Sequence, residues 1–438
     1  MKKFDILIEN ATILTMNSEM ISYENGYIGI EKDTIVYIGS DKPKSTSKKV
    51  IDAKNNIVMP GLINAHTHSG MTMFRGIADD LSLMNWLNNY IWPLEDKFVT
   101  EKNVEIASKL AIAEMILSGT TTFNDMYFFT GATAENCKNI GIRAVLGEAI
   151  IDFPVSMNKT SRDYFLEFIE KYSDDDLIIP SIVPHSPYSC SEGLLKRIKK
   201  LSDEKNLPVH IHISETIDEV KMIKEKTGMT PVEYLDSINF LNKKTIAVHC
   251  VHLTDNDMNI LKKRGTGIVN SPESNLKLAS GIAEIPKMLD KKLTIALGTD
   301  GPASNNNLDM FEEMSLTVKI HKALNNDSTI MNAKEVLRMG TINGAKVLGI
   351  DNITGSLEVG KKADIIIIDV NKPHLTPMYD PYSHLTYSAN GSDVDTVIIN
   401  GEIILKERKF VNLDLEKVML DIKNISSEII TYKNNGMK

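Results

Sequence analysis

The chain has 438 residues, of which 42% are hydrophobic and 24% are charged, an ordinary composition for a globular protein. With 49 basic and 58 acidic residues its net charge is −9, so it lacks the basic surface that binds nucleic acids or membranes. No apolar stretch reaches the roughly 18 residues of a membrane span, and Asp5 and Glu9 interrupt the start where a signal peptide is apolar. We therefore expect a soluble, cytoplasmic protein. Three widely separated cysteines exclude a disulfide framework and a CxxC zinc site.

Short strands are predicted at both ends of the chain. Near the start the strand-like runs are Phe4–Ile8, Tyr27–Ile30, Ile35–Ile38 and Ile57–Met59. Near the end they are Asp364–Val370, Val394–Ile399 and Ile403–Leu405, with Asn400-Gly401 as a hairpin turn before the last run. We expect one small β domain built from residues 1–59 and 351–438, with a terminal helix over Glu416–Ile430.

Residues 60–350 alternate between short β-like runs and segments of helical periodicity. The β-like runs are Gly61–His68, Thr120–Asp125, Arg143–Ile150, Leu177–His185, Pro208–Ser214, Thr245–Val251, Gly267–Ser271 and Leu293–Thr299. Helical periodicity marks Val104–Leu117, Leu194–Glu204, Asp255–Lys263 and Asn307–Leu324. Eight strands alternating with helices predict an α/β fold with a closed (β/α)8 TIM-like barrel. A doubly wound open sheet is the alternative.

Histidines and one aspartate stand where four of these strands end. They are His66 and His68, His210 and His212, His249, and Asp300. The carboxyl ends of barrel strands form the active site, so we expect these side chains to meet. Three imidazoles and a carboxylate suit Zn²⁺, with Fe²⁺ or Mn²⁺ as alternatives. His210 and His212 face the same side of their strand, so spacing alone does not choose the ligand.

Four segments carry a resemblance to a known family. They are Pro60–His68 (PGLINAHTH), His210–Glu215 (HIHISE), Ala247–Cys250 (AVHC) and Gly298–Met314 (GTDGPASNNNLDMFEEM). They resemble the amidohydrolase superfamily and, more narrowly, its 5′-methylthioadenosine/S-adenosylhomocysteine deaminases. The similarity covers nearly the whole chain and implies that the terminal strands form a small β-sandwich.

The same resemblance implies one divalent metal per chain. Binuclear relatives carry a bridging lysine or glutamate at the fourth strand end, where this chain has Pro184-His185. The implied metal ligands are His66, His68, His212 and Asp300.

The resemblance also implies catalytic roles. A metal lowers the pKa of its water from ~15.7 toward ~7. Asp300 would take the proton of this water, and Glu215 would protonate the ring nitrogen of a purine. His249 would orient the attacking oxygen, although it could instead be a buried structural histidine. The alternative for Glu215 is a solvated loop residue.

Three further residues are expected to bind a nucleoside. Trp86 and Glu95 lie in the segment Met84–Phe98, which covers the nucleoside in the deaminases that it resembles. Glu95 would accept hydrogen bonds from both ribose hydroxyls, although a helix-surface glutamate is the alternative. His185 matches a residue near the sugar in the deaminases. The alternative for Trp86 is an aromatic residue of the hydrophobic core.

We therefore predict a hydrolytic deaminase that converts the 6-amino group of adenine nucleosides to an inosine-type product and ammonia. The expected substrates are 5′-methylthioadenosine and, further, S-adenosylhomocysteine and adenosine. Another amidohydrolase reaction, on guanine, aminofutalosine or a triazine, is the alternative, and a non-catalytic barrel scaffold is a third hypothesis. The sequence is compatible with a homo-oligomer.

One departure from the resemblance concerns the substrate tail. Some relatives carry an arginine shortly after the strand that begins at Arg143, whereas this chain has Gly147-Glu148. We expect Glu148 to repel the carboxylate of S-adenosylhomocysteine, and therefore expect methylthioadenosine to be preferred.

Overall fold

The computed structural model describes residues 3–152 and 162–435. Its strands are β1 Lys3–Leu14, β2 Ser22–Glu31, β3 Thr34–Gly39, β4 Thr46–Asp52, β5 Ile57–Pro60, β6 Leu62–Thr67, β7 Thr120–Tyr127, β8 Arg143–Ile150, β9 Ile178–Pro180, β10 Val183–Pro184, β11 Val209–Ile213, β12 Thr245–His249, β13 Gly267–Asn270, β14 Ile295–Leu297, β15 Ile365–Ile368, β16 Val394–Ile399, β17 Glu402–Lys406 and β18 Lys409–Phe410.

The helices mostly connect successive strands. They are α1 Leu83–Trp86, α2 Trp92–Phe98, α3 Glu101–Leu117, α4 Thr130–Ile140, α5 Arg162–Tyr172, α6 Glu192–Lys205, α7 Ile217–Thr227, α8 Pro231–Ser237, α9 Asp255–Arg264, α10 Pro272–Lys277, α11 Ile285–Asp290, α12 Met310–Asn325, α13 Ala333–Met339, α14 Ile342–Leu348, α15 Pro381–Tyr387 and α16 Leu415–Asn434. A π-helical turn, Leu87–Ile91, joins α1 to α2. Across the described ranges no helix has the length and apolarity to cross a membrane.

Strands β6 to β14 form a closed ring. β6, β7 and β8 pair in parallel, β8 pairs with β9 and β10, and β11 to β14 pair in parallel in chain order. Two parallel bridges close the ring, from Ile182 to Val209 and from Thr67 to Asp300. The predicted strand Leu177–His185 is divided into β9 and β10, which together occupy one position in the ring. The ring therefore has the eight expected strand positions. The predicted barrel is confirmed, and the open sheet is wrong.

The barrel strands carry apolar residues because both faces are covered. Every residue of β6, β11 and β13 is buried. Side-chain caps fix the starts of several helices: Thr100, Ser191 and Thr254 each accept the N–H group three residues further on. The loops that leave the carboxyl ends of the strands are therefore held at both of their ends.

A second, nine-stranded sheet contains strands from both chain ends. Its order is β18-β17-β16-β15-β5-β1-β2-β3, with β4 paired to β1. The antiparallel pairing of β5 with β15 joins the two ends and places Met59 opposite Ile366. Ile8, Ile28 and Ile365 belong to a core of their own, whereas Met59 and Ile366 belong to the main core that includes the barrel residues.

A buried ion pair connects the barrel to this sheet. Arg143 Nε lies 2.8 Å from Asp364 Oδ2, and its Nη2 lies 3.1 Å from Oδ1. Asp364 Oδ1 also accepts the N–H group of Asn400 at 2.8 Å. Removal of either partner would leave a buried charge unpaired, which is strongly destabilising, so the pair fixes the contact between β8 and the terminal sheet.

Candidate active site

The predicted metal ligands meet at the carboxyl ends of the barrel strands. His66 lies near the end of β6, His68 follows that strand directly, and Asp300 follows β14. The Nε2 atoms of His66 and His68 each lie 3.2 Å from Asp300 Oδ1. His212 leaves the end of β11 toward the same point, with its ring centroid 5.0 Å from that of His66. The four side chains thus form one cluster, in which His66 is fully buried.

The second ring nitrogen of each histidine already has a partner. His68 Nδ1 lies 2.6 Å from the carbonyl oxygen of Met126, and His212 Nδ1 lies 2.7 Å from that of His185. A carbonyl only accepts, so each Nδ1 carries a hydrogen and each Nε2 is the ring nitrogen that faces the site. His66 Nδ1 pairs with His210 Nε2, which leaves His66 Nε2 to face Asp300. Such outer partners orient the ligands of metal sites.

A divalent metal fits these donors. His66 Nε2 is buried and has no hydrogen-bond partner, although a carboxylate oxygen lies 3.2 Å away. Burial lowers the pKa of His66 to about 3 and that of His212 well below its usual value, so both present neutral nitrogens, as metal ligation requires. Burial acts the same way on His68, but Asp300 outweighs it and raises the pKa of His68 to about 9. A metal must displace this proton.

Three donors hold the Asp300 carboxylate in place. Ser274 Oγ and Ser304 Oγ donate to its Oδ2 at 2.5 and 2.9 Å, and the Gly301 N–H donates to its Oδ1 at 2.7 Å. The Asp300 N–H itself donates to the carbonyl of His66 at 3.0 Å. Hydrogen bonds of this kind fix both the position and the ionised form of a carboxylate.

Glu215 and His249 stand beside the metal cluster. Glu215 Oε2 lies 3.8 Å from His249 Nε2, and Ser280 Oγ donates to Oε1 at 3.4 Å. Burial raises the pKa of Glu215, so this carboxyl group keeps a proton more readily than an exposed glutamate does. His249 Nδ1 pairs with Asn275 Oδ1 at 2.9 Å, which directs Nε2 into the site. The described residues also allow His249 as a metal ligand with His66 and His212.

These residues line one cavity with about 690 Å³ of unfilled space, open solvent included. The predicted residues that line it are His68, Trp86, Glu95, His185, His212, Glu215, His249 and Asp300. Apolar side chains, among them Leu83, Ile91 and Phe128, form most of the remaining wall. Of the predicted site residues, His66 alone lies behind this wall, where it contacts the other ligands.

The segment that carries Trp86 and Glu95 runs over the cavity as α1, the π-turn and α2. Glu95 is 4% exposed, which rules out the helix-surface alternative, and its Oε1 accepts the Tyr127 hydroxyl at 2.8 Å. Trp86 is 5% exposed and lines the cavity while packing in the hydrophobic cluster beside it. His185 also faces the cavity, and its Nδ1 pairs with Ser189 Oγ at 2.8 Å.

The prediction for Glu148 is wrong. Its carboxylate accepts the N–H groups of Phe129 and Thr130 at 2.9 Å each and the Thr130 hydroxyl at 2.8 Å, at the start of α4. Successive strand residues point to opposite faces, and it is Ala149 that lines the cavity. Glu148 is thus a helix-capping residue. No lysine or arginine of residues 3–152 and 162–435 lines the cavity.

Several residues of the site were not singled out by the sequence. Ser274 and Ser304 bind Asp300, Tyr127 binds Glu95, and Asn275 binds His249. Tyr127 is the last residue of β7, and its position at a barrel strand end could have marked it. Ser274 lies in the short helix α10 and Ser304 in the turn after Asp300, and no spacing rule points to either serine.

The chain belongs to the amidohydrolase family, whose family model matches residues 57–404. The resemblance carried by the four motifs is thereby confirmed.

Individual relatives match nearly the full length. A 5-methylthioadenosine/S-adenosylhomocysteine deaminase from Thermoanaerobacter pseudethanolicus is 47% identical over 429 residues, 97% of this chain and 99% of that protein. A 5′-deoxyadenosine deaminase from Methanosarcina barkeri is 44% identical over 433 residues, 98% of this chain and 99% of that protein. The crystal structure of an adenosine deaminase from Xanthomonas campestris, with bound zinc, is 35% identical with a TM-score of 0.94, over 98% and 99% of the two chains.

Proposed function

We propose that this protein is a metal-dependent hydrolase that deaminates adenine nucleosides at the 6-amino group, releasing ammonia and an inosine-type product. One observation carries the proposal. A buried acid, Glu215, stands beside a set of metal ligands at one end of a cavity whose wall also contains the buried carboxylate of Glu95. Relatives named for deamination of methylthioadenosine, S-adenosylhomocysteine and 5′-deoxyadenosine support the reaction class.

We infer that His66, His68, His212 and Asp300 hold one divalent ion per chain, most simply Zn²⁺, with Fe²⁺ or Mn²⁺ as alternatives. The zinc in the structure from Xanthomonas campestris supports this choice of metal. When bound, such an ion supplies Lewis acidity that makes a water molecule nucleophilic near neutral pH.

The protein side chains then transfer the protons of the reaction. Asp300 accepts a proton from the attacking water, and Glu215 donates its proton to N1 of the purine while the water oxygen forms a bond to C6. His249 Nε2, held toward the site by Asn275, hydrogen-bonds to the attacking oxygen. The proton collected from water passes from Asp300 to the amino group, the C6–N bond breaks as the remaining hydroxyl proton returns to Glu215, and ammonia leaves with the 6-oxo product.

The remaining wall supports recognition of a nucleoside. Glu95, oriented by Tyr127, would accept hydrogen bonds from both ribose hydroxyls, and His185 would contact the sugar. Trp86 would pack against the substrate. Because the described cavity wall has no cationic side chain and is largely apolar, we propose neutral 5′ substituents, such as methylthio or hydrogen, as the preferred tails.

We further propose that residues 60–350 form the barrel domain and that residues 1–59 and 351–438 form a β-sandwich with a terminal helix. The terminal sheet has an apolar core of its own, and this supports the proposal that the sheet folds over itself as a sandwich. We also propose a cytoplasmic location, and the charge of −9 supports a small-molecule partner rather than nucleic acid or a membrane.

Ammonia release from a substrate panel tests the proposal. The panel contains adenosine, 5′-deoxyadenosine, methylthioadenosine, S-adenosylhomocysteine, guanine, aminofutalosine and a triazine. We expect turnover of adenine nucleosides with kcat/KM at least about 100-fold above that of the free bases, because the site holds the sugar as well. Faster turnover of guanine or a triazine than of every adenine nucleoside would contradict the proposal.

A further inference from the structure

The carboxylate of Glu219 is buried next to the turn after β11, which contains Ser214 and Glu215, and does not reach the cavity. Glu219 lies in the first turn of α7 and is 4% exposed. Its Oε1 accepts the N–H group of Ser214 at 3.0 Å, and its Oε2 accepts that of Glu215 at 2.8 Å. It is not among the residues that line the cavity. No basic side chain of the described residues pairs with Glu219; burial raises its pKa to about 8, while the two N–H groups favour its ionised form.

The two N–H groups belong to a turn with unusual backbone geometry. Ser214 has φ of +54°, a left-handed conformation that is unfavourable for residues other than glycine. The carbonyl of Ser214 accepts the N–H groups of Val251 and His252, each at 3.0 Å. The turn after β11 is therefore tied to the segment that follows His249, the last residue of β12.

Glu219 does more than cap its own helix. In a capping box the acid at the third helical position bonds to the N–H of the capping residue, here Thr216. Instead, Glu219 reaches past Thr216 to the two residues before it. Thr216 Oγ1 still accepts the Glu219 N–H at 3.2 Å, so the cap is half formed and the carboxylate is available for the turn.

We propose that Glu219 is a positioning residue for Glu215. By binding two consecutive N–H groups, its carboxylate holds the left-handed turn and fixes the point from which the Glu215 side chain enters the cavity. This inference rests on the proposed role of Glu215. Misplacement of a reacting group by about 1 Å can cost about 10²-fold in rate, so loss of the two hydrogen bonds from Glu219 should lower kcat.

Glu219→Gln is the informative substitution, because a glutamine has nearly the same shape but only one acceptor oxygen. Its NH2 group must then face one of the two N–H donors. We expect kcat for methylthioadenosine to fall about tenfold or more, KM to change less than about threefold, and metal content to stay the same. Glu233→Gln is the matched control, since Glu233 accepts the Thr230 N–H in an ordinary capping box at the start of α8. It should keep the parental kcat.

A double-mutant cycle separates positioning from general stabilisation. If Glu219 acts through Glu215, Glu219→Gln should cause no further loss of kcat in a Glu215→Gln background. Equal losses in both backgrounds, loss of metal, or a parental kcat in Glu219→Gln would overturn the inference. If Glu219→Gln does not fold, Glu219→Asp takes its place; its shorter side chain cannot reach both N–H groups, and the same outcomes apply. A Glu215→Gln variant with parental activity refutes the proposed function itself, and is thus distinguished from a failure at Glu219.

Discussion

His66 Nδ1 lies 2.9 Å from His210 Nε2, and both rings are fully buried. His66 can bind a metal through Nε2 only when Nδ1 carries the hydrogen, and His210 Nε2 is the acceptor that stabilises this tautomer. The two histidines of β11 therefore differ in position. His212 presents a lone pair to the site, whereas His210 lies behind His66 and orients it.

We expect His210→Ala to weaken metal binding about 10- to 100-fold, because loss of an outer partner leaves the His66 ring free to turn. Competition with a chromogenic chelator measures this directly and does not depend on activity. His384→Ala is the control, since the ring of His384 pairs with the carbonyls of Pro377 and Asp380 outside the cavity. Unchanged metal affinity in His210→Ala would contradict the orienting role.

The metal prediction concerns the ligands themselves. Purified protein should contain about one divalent ion per chain, and His66→Ala or His212→Ala should lose both metal and activity, because each ligand supplies a donor that the site requires. Elemental analysis and ammonia release measure the two quantities. Two tightly bound ions per chain, or full activity after exhaustive chelation, would exclude the proposed centre.

Glu215→Gln should reduce kcat at least about 10²-fold, the lower range for general acid–base catalysis, because glutamine cannot deliver a proton. Metal content should not change, since Glu215 is not a proposed ligand. The measurement is steady-state kinetics on methylthioadenosine, with metal analysis of the same preparation. Activity within a few-fold of the parent would remove Glu215 from the mechanism.

The sugar prediction uses a pair of substrates. Glu95→Gln should lower kcat/KM for ribonucleosides about tenfold more than for the matching 2′-deoxy nucleosides, which lack one of the hydroxyls that Glu95 binds. Tyr127→Phe should produce the same selectivity change to a smaller extent, because it removes the hydrogen bond that orients Glu95. Equal losses on both substrates would leave Glu95 with a structural role only.

The last prediction concerns stability in acid. Burial lowers the pKa of His321 on α12 to about 4, whereas in the unfolded chain it is about 6.5. The unfolded state therefore binds this proton first, so the contribution of neutral His321 to stability is present above pH 6.5 and is lost as the pH falls toward 4. Between pH 7.5 and 5 it should cost about 2 kcal/mol. Denaturant titrations should show a smaller loss of unfolding free energy for His321→Leu than for the parent. An identical loss in both proteins would show that His321 does not carry this dependence.

Local patterns in the sequence predicted much of this structure. The eight barrel strands follow from short apolar runs, because parallel strands are buried on both faces. β4 was missed: its sequence, Thr46–Asp52, contains two lysines, and its partner β1 lies about 40 residues earlier in the chain. An exposed edge strand lacks the apolar signal, and such long-range pairing leaves no local trace.

At the site, the sequence predicted which residues take part better than it predicted where their side chains point. The placement of His66, His68, His212 and Asp300 in one cluster agrees with their positions at strand ends. Glu148 was expected to face the substrate tail because it lies in the part of the sequence where some relatives carry an arginine. The alternation of side chains along β8 instead directs it to the opposite face of the strand. The contact between Glu95 and Tyr127 spans 32 residues and depends on how α2 packs over the barrel, which no spacing rule contains.

The pairing of β5 with β15 has a consequence for biosynthesis. About 300 residues separate the two strands, so a ribosome adding ~5–20 residues per second needs roughly 15–60 seconds between them. During that interval β1, β2 and β3 can pair with one another, but the edge of β5 has no neighbour from the far end of the chain. An apolar strand edge of this kind is a site of aggregation. The nascent chain must therefore be protected until about its last sixth emerges, and a truncation before residue 365 would make that exposure permanent.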